Sequence, residues 1–267
     1  MKDVRLLASA EYMGRGFGTA GLDLAADYIA QQFKEAGLVP AGTSEGSFFQ
    51  SWQERGGEPE REATLKNVIA IIPGTKPEFK EQSVVLGAHY DHLGLGWPDV
   101  HKADTGKIHP GASDNASGVA VLLELARKLG KTFKPERNLV FVAFTGEEAG
   151  LKGSKYYVEH PRFPLEKMMG MINVDTVGRF GENKVTVFGN GSAREWVHIF
   201  MGASYVTGVR VEPVANDLGA SDQKSFLDLG VPAVQLFTGP NPDYHRASDT
   251  AGQVEPEALV KVASVLK

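Results

Sequence analysis

The sequence predicts an α/β fold: one domain spanning residues 1–267, with a mostly parallel, mixed central sheet and helices on both faces. Three observations carry this prediction. Apolar runs at Asn67–Ile72, Ser83–Gly87, Leu139–Phe144, Met168–Val174 and Val231–Phe237 alternate with stretches of helical periodicity, the element order of a doubly covered parallel sheet. The runs are nearly continuous in apolar character, as strands buried on both faces require. Several of them close on His, Asp or Glu, and ligands of open α/β sheets gather beyond the carboxyl ends of the strands.

Composition sets the outer limits. A chain of 267 residues with 42% hydrophobic content supports one large core. The net charge of −5 comes without a long basic run, which argues against a nucleic-acid partner. No apolar stretch approaches the roughly 20 residues that span a bilayer, and the start MKDVRLLASAEY lacks the apolar region of a signal peptide, so the expectation is a soluble chain without a membrane span. With no cysteine there are no disulfides or thiolate ligands, and any metal must be held by His and carboxylates.

Taken in order, Leu22, Ala25, Ala26, Ile29, Ala30 and Phe33 follow helical spacing and Gly37 stands where that helix should stop. Phe48–Trp52 and Asn67–Ile72 read as strands, with the charged segment Glu54–Glu62 as a hairpin or exposed loop. The Ser83 strand runs into Ala88-His89-Tyr90-Asp91-His92, and residues 93–113, rich in Gly, Pro, Asp and His, read as a long surface loop of the functional kind. Asp114 and Asn115 fall at or just before a helix carrying Leu122, Leu123, Ala126 and Leu129. After the Leu139–Phe144 strand, Glu147-Glu148 precede a short helix with Leu151, Tyr156 and Tyr157. Lys184–Phe188 reads as a strand, and Ser192 with Glu195 has the spacing of a capping box opening a helix through Phe200. A short helix over Ser221–Leu229, a strand over Val231–Phe237 and an amphipathic helix over Glu255–Leu266 close the chain.

The strand ends share one chemistry. His89 with Asp91, Glu147 with Glu148, Asp175 and, a few residues past a strand, His245 would all meet at one edge of the sheet. Taken singly, each has a plainer reading: a core histidine, a turn aspartate, a helix cap at Asp114. Together, two imidazoles and three carboxylates suit two zinc-like ions sharing a bridging carboxylate. Adjacent side chains on an extended chain point to opposite sides, so Glu147 and Glu148 can serve one site only in different roles.

The segments His89-Tyr-Asp91, Ser113-Asp114-Asn115-Ala-Ser-Gly118, Phe144-Thr-Gly-Glu147-Glu148-x-Gly-Leu-x-Gly-Ser, Asn173-Val-Asp175 and Tyr244-His245 resemble the motif set of the di-zinc aminopeptidases, a family whose relatives include glutaminyl cyclases and glutamate carboxypeptidase. The opening Leu7-Ala-Ser-Ala-Glu-Tyr-Met-Gly-Arg15-Gly-Phe-Gly-Thr19 is similar to that of extracytoplasmic members, which favours a periplasmic or secreted setting. The resemblance implies a zinc-exopeptidase-like fold without an inserted protease-associated domain, and two Zn²⁺ ions. His89 and Asp175 would hold one ion, Glu148 and His245 the other, and Asp114 would bridge them. Asp91 would orient His89 through its second ring nitrogen, and Glu147 would be the general base. A cis Asp114-Asn115 peptide bond is also implied. Substrates would be peptides with a free N-terminus, with Tyr244 and Asp222 as substrate contacts.

Two features depart from the family pattern: a longer loop between Asp91 and Asp114, and Gln223 where many relatives carry histidine. His92, His101, His109, His160 and His198 match no ligand position and read as surface or packing residues. Three other readings compete. A serine acyl-enzyme is suggested by Ser221-x-x-Lys224 and Ser113-Asp114-Asn115, but their order is reversed and no later K-T-G follows. The others are a glutaminyl cyclase-like acyltransferase with one zinc and a non-catalytic binding domain of the same fold.

Overall fold

The computed structural model describes residues 1–267. Its strands are β1 (Val39–Pro40), β2 (Phe49–Gly56), β3 (Arg61–Ile72), β4 (Ser83–His89), β5 (Asn138–Phe144), β6 (Met168–Val174), β7 (Val185–Phe188), β8 (Val211–Pro213) and β9 (Ala233–Phe237). Its longer helices are α1 (Lys2–Leu7), α2 (Ala20–Glu35), α3 (Ser117–Leu129), α4 (Lys152–Glu159), α5 (Glu195–Thr207), α6 (Gln223–Leu227) and α7 (Pro256–Leu266). All nine strands join one mixed sheet in the order β1-β3-β5-β4-β6-β9-β7-β8, with β2 paired to β3. Strands β5, β4, β6 and β9 run parallel at the centre, and antiparallel pairing flanks them at β3–β5 and β7–β9.

The two-residue period of a strand sends alternate side chains of β5 into different cores. Phe141 and Ala143 enter a large core shared with α1, α2, α3, α5 and α7, whereas Val140, Val142 and Phe144 enter a smaller one capped by Tyr157 of α4 and Phe226 of α6. Both faces are thereby covered, which explains the nearly continuous apolar run. On α2 the predicted apolar stripe is the buried one, Thr19 caps the first turn by accepting from the N–H of Leu22, and Gly37 takes the left-handed conformation (φ 83°) that ends the helix. Phe33 meets Phe141 edge-on at 6.1 Å, and truncating this fully buried ring to alanine should cost about 3–5 kcal/mol.

The segment Glu54–Glu62 is a true hairpin, with β2 and β3 paired all the way to Gly56 and Arg61. The capping box does not form. The Ser192 hydroxyl instead donates to the carbonyl of Ala233 and accepts from the Trp196 ring N–H, and α5 starts without a side-chain cap and continues to Thr207. A tertiary partner one strand away outcompetes the local one. Part of the 93–113 loop is not on the surface, since Leu93, His109 and residues 111–113 are buried.

What positions the site is the reversal of strand order at β4. The chain leaves β4, crosses through α3 to β5 on one side, and later places β6 on the other. At such a switch point the loops leaving adjacent strands diverge and open a crevice. No helix is long and apolar enough to cross a membrane.

Candidate metal centre

The four parallel strands deliver polar residues to one edge. His89 is the last residue of β4, Glu147 and Glu148 follow β5 across Thr145-Gly146, Asp175 directly follows β6, and His245 lies in the loop after β9. Asp114 arrives on the turn that precedes α3. That turn is held from three sides. Asp249 accepts from the backbone N–H groups of Ser113 (3.0 Å) and Asp114 (3.1 Å); the Asn115 amide donates to the Val174 carbonyl (2.9 Å); and Ser117 Oγ donates to the Ser113 carbonyl (2.6 Å). The Asp114-Asn115 peptide bond is cis.

The carboxylate of Asp114 faces both imidazoles. Its Oδ1 lies 3.2 Å from His89 Nε2 and its Oδ2 lies 3.2 Å from His245 Nε2. The same His89 nitrogen is 3.3 Å from Asp175 Oδ1, and the same His245 nitrogen is 3.3 Å from Glu148 Oε2. Two imidazole-carboxylate triangles therefore share Asp114. Nitrogen and oxygen donors without thiolate are the set that zinc accepts from a cysteine-free chain. The Nε2 atoms of His245 and His92 are both buried without a hydrogen bond. Two groups of three donor atoms, each within 4.8 Å of one another, are available: His89, Glu147 and Asp175, and His92, Asp114 and Glu148.

The electrostatics follow from crowding. Burial opposes the charged form of every member, and the opposite charges beside it decide the direction. Burial raises Asp114, but contact with His245 and His89 outweighs it and holds the carboxyl well below its ordinary value. Glu148 is raised by burial and by the Asp114 charge, yet His245 and His92 bring it down to about 2. Against burial, Asp114 and Glu148 carry His245 up to about 11, and the carboxylates around His89 push it well above an ordinary imidazole. Glu147 goes the other way. Burial, with the charges of Glu148, Asp175 and Asp222, lifts it well above the usual carboxylate range despite the pull of His89.

A cavity of about 270 Å³ opens over this cluster, walled also by Gly150, Leu151, Gly219, Ala220 and Tyr244. The Tyr244 ring is half exposed, lines this cavity and stacks on His245 at 3.9 Å. Asp222 is fully buried and does not line the cavity, and both its carboxylate oxygens lack a hydrogen bond, so burial lifts it to about 7. The sequence expectation of a substrate contact at Asp222 is corrected to a residue beneath the floor, because the start of α6 turns its side chain inward.

Asp91 also sits differently from its expected place. Its Oδ1 is 3.7 Å from His89 Nδ1, beyond hydrogen-bond reach, and that nitrogen has the Asp91 backbone carbonyl at 3.3 Å instead. The carboxylate accepts from the backbone of Glu147 and Glu148. His92, read as a surface or packing residue, belongs to the site: it is buried, with Nδ1 2.7 Å from Glu148 Oε1. Its place directly after Asp91, three residues past the end of β4, was the one available signal. Asp99, which drew no attention, reaches from the long loop to within 2.9 Å of His245 Nδ1. Gln223 joins a buried chain in which it donates to Gln235 (3.2 Å), and Gln235 donates to Asp175 Oδ2 (3.3 Å). His101, His160 and His198 are exposed and His109 is buried away from the ligand triangles.

Residues 67–267 match the sequence description of Peptidase family M28, a stretch that holds every residue of both triangles. The chain belongs to Peptidase family M28. Among its curated relatives are a probable zinc metalloprotease of Pyricularia oryzae, 29% identical over 92% of this chain and 54% of its own length, and the aminopeptidase YwaD of Bacillus subtilis, 27% identical over 78% and 46%. The chain thus spans about half the length of the M28 relatives it matches. In three dimensions this M28 chain is similar to the glutaminyl cyclase of Porphyromonas gingivalis, with a TM-score of 0.80 at 20% identity over 99% of this chain and 94% of that one. It is also similar to the LapA aminopeptidase of Legionella pneumophila, with a TM-score of 0.74 at 19% identity over 99% and 68%. Those likenesses show the fold, which the aminopeptidase and the glutaminyl cyclase share.

Proposed function

We propose that this chain is a co-catalytic di-zinc aminopeptidase that removes N-terminal residues from peptides with a free amino group. The observation that carries the reading is the sharing of Asp114 by two imidazoles, each of which has a further carboxylate of its own. His89 and Asp175 would hold one ion and Glu148 and His245 the other, with Asp114, which faces both imidazoles, shared between them. When bound, the ions supply Lewis acidity, which polarises the scissile carbonyl and acidifies the attacking water.

The remaining work falls to the chain. Glu147 faces the same cavity with no ligand duty in this assignment, which leaves its carboxylate to serve as a base that would take the proton of water and return it to the leaving amine. Asp91 fixes the backbone from which both glutamates project. Tyr244 borders the cavity that a substrate would enter. The resemblance to extracytoplasmic members supports a periplasmic or secreted setting.

Elemental analysis combined with a panel of aminoacyl-anilide substrates tests the proposal. Two zinc ions per chain and hydrolysis of unblocked substrates, with the N-acetylated counterparts left intact, are expected. One tightly held ion with cyclisation of N-terminal glutamine would point to the cyclase chemistry named for the Porphyromonas neighbour. Equal cleavage of blocked and free peptides would rule out an aminopeptidase.

A further inference from the structure

One imidazole at this centre has no assigned duty. His92 is 1% exposed, and its Nδ1 is 2.7 Å from Oε1 of Glu148, the shortest contact between a histidine and a carboxylate in the cluster. The other oxygen of that carboxylate, Oε2, is the one that faces His245. The two oxygens of Glu148 are thus divided between two histidines. Since an ionised carboxylate has no proton to give, the shared hydrogen is on Nδ1 of His92.

Three features hold the ring still. The backbone N–H of His92 donates to the carbonyl of Arg15 (3.2 Å), and the ring packs edge-on to His245 with centroids 5.8 Å apart. Its third wall is Gly111, where the backbone is left-handed (φ 56°) and an added Cβ would lie 2.5 Å from the ring carbons. A histidine that only filled space would not need its nitrogen aligned on a carboxylate in a pocket that a methyl group would close.

We propose that His92 is the positioning residue for Glu148. Its Nδ1–H captures Oε1, which stops the carboxylate from rotating and presents Oε2 alone toward the ion shared with His245 and Asp114. The proposal rests on the reading that Glu148 is a metal ligand. A partner of this kind, once removed, typically costs 10- to 100-fold in metal affinity or activity, roughly the scale of effect to look for here.

Calorimetric titration of the metal-free protein with zinc, on wild type and four variants, separates the possibilities. His92→Asn keeps an N–H donor near the position of Nδ1 and should bind two ions with affinities close to wild type. His92→Leu removes the donor, and His92→Gln moves it to the far end of the side chain. Both should lose affinity for one ion by about 10- to 100-fold and leave the other unchanged. Having both variants protects the test if leucine disturbs folding. Glu148→Gln reports on the reading itself and should weaken the same ion. Wild-type zinc binding in His92→Leu and His92→Gln, with loss in Glu148→Gln, would overturn the positioning role and leave the ligand assignment standing. Loss in His92→Asn as deep as in His92→Leu would mean that the imidazole itself contacts the ion, which also overturns the proposal. Two undisturbed ions in Glu148→Gln would remove the ligand assignment and the proposal together.

Discussion

The carboxylate of Asp91 accepts a hydrogen bond from the backbone N–H of Glu147 at 3.1 Å, and its second oxygen accepts from Glu148 at 3.3 Å. The end of β4 is thereby fastened to the end of β5, and the two glutamates are held at the backbone before their side chains make any contact. Asp91→Ala should lower kcat/KM by about 10- to 100-fold with the fold intact. Asp91→Asn should do little better, because its amide turns a donor toward a donor. Steady-state kinetics with circular dichroism would check this, and near-normal activity in both variants would show that the fastening is dispensable.

Amide substitutions of the adjacent glutamates should fail in different ways. Glu147→Gln leaves the proposed ligand set whole, so metal content should be unchanged while turnover falls by on the order of 10²-fold or more, the scale of general acid-base catalysis. Glu148→Gln should lose zinc, and excess zinc should restore part of its activity. Metal analysis alongside kcat would expose swapped roles if the losses were reversed.

Arg15 is fully buried without a carboxylate partner. It donates to four backbone carbonyls instead: Nε to Tyr90 (2.7 Å), Nη1 to Leu7 (2.6 Å) and Pro110 (2.8 Å), and Nη2 to Gly111 (2.8 Å). Burial draws its proton affinity down to about 10, against the charges of Asp91, Asp114, Asp249 and Glu148. One guanidinium thus ties the N-terminal segment, outside the family match, to the chain just before the 93–113 loop and to that loop's last residues. Arg15→Met strands buried carbonyls and should cost about 3–5 kcal/mol, and Arg15→Lys, lacking the planar fork, should recover little of it. Urea denaturation would measure both, and a lysine variant within 1 kcal/mol of wild type, roughly the worth of one ordinary hydrogen bond, would contradict this account.

Asp3 gives the fold a pH dependence remote from the metal centre. Burial raises its carboxyl, but the Arg127 guanidinium, in a two-pronged bond at 2.7 and 2.9 Å, and the Tyr28 hydroxyl at 2.6 Å bring it below its ordinary value. A folded-state value below the unfolded one gives stability that is present above the unfolded pKa of about 3.9 and is lost as pH falls through the lower, folded value. Between neutral pH and pH 5 the contribution of this group should be flat, and below roughly pH 4 it should decline. Asp3→Asn should remove that part of the acid slope and lower stability at pH 7 by about 1–3 kcal/mol. Denaturation midpoints measured from pH 7 to pH 3 would show it, and an unchanged slope in the variant would count against the assignment.

The sequence by itself determined the main elements and which polar residues gather at one edge of the sheet. Continuous apolar runs such as Leu139–Phe144 can only be strands covered on both faces, and polar residues immediately past them, His89 and Asp175 among them, must emerge at one edge once those strands are parallel. Local pattern suffices there because burial and the strand period act within a few residues. Tertiary structure alone decided which atoms meet. Ser192 left its predicted cap for the Ala233 carbonyl, and Asp222 turned into the core. Asp91 bonded to backbone N–H groups 56 and 57 residues away, and His92 found Glu148 at a separation of 56. A side chain's periodicity tells whether it is buried, but its hydrogen-bond partner depends on how two distant strand ends are juxtaposed, and no spacing along the chain encodes that juxtaposition.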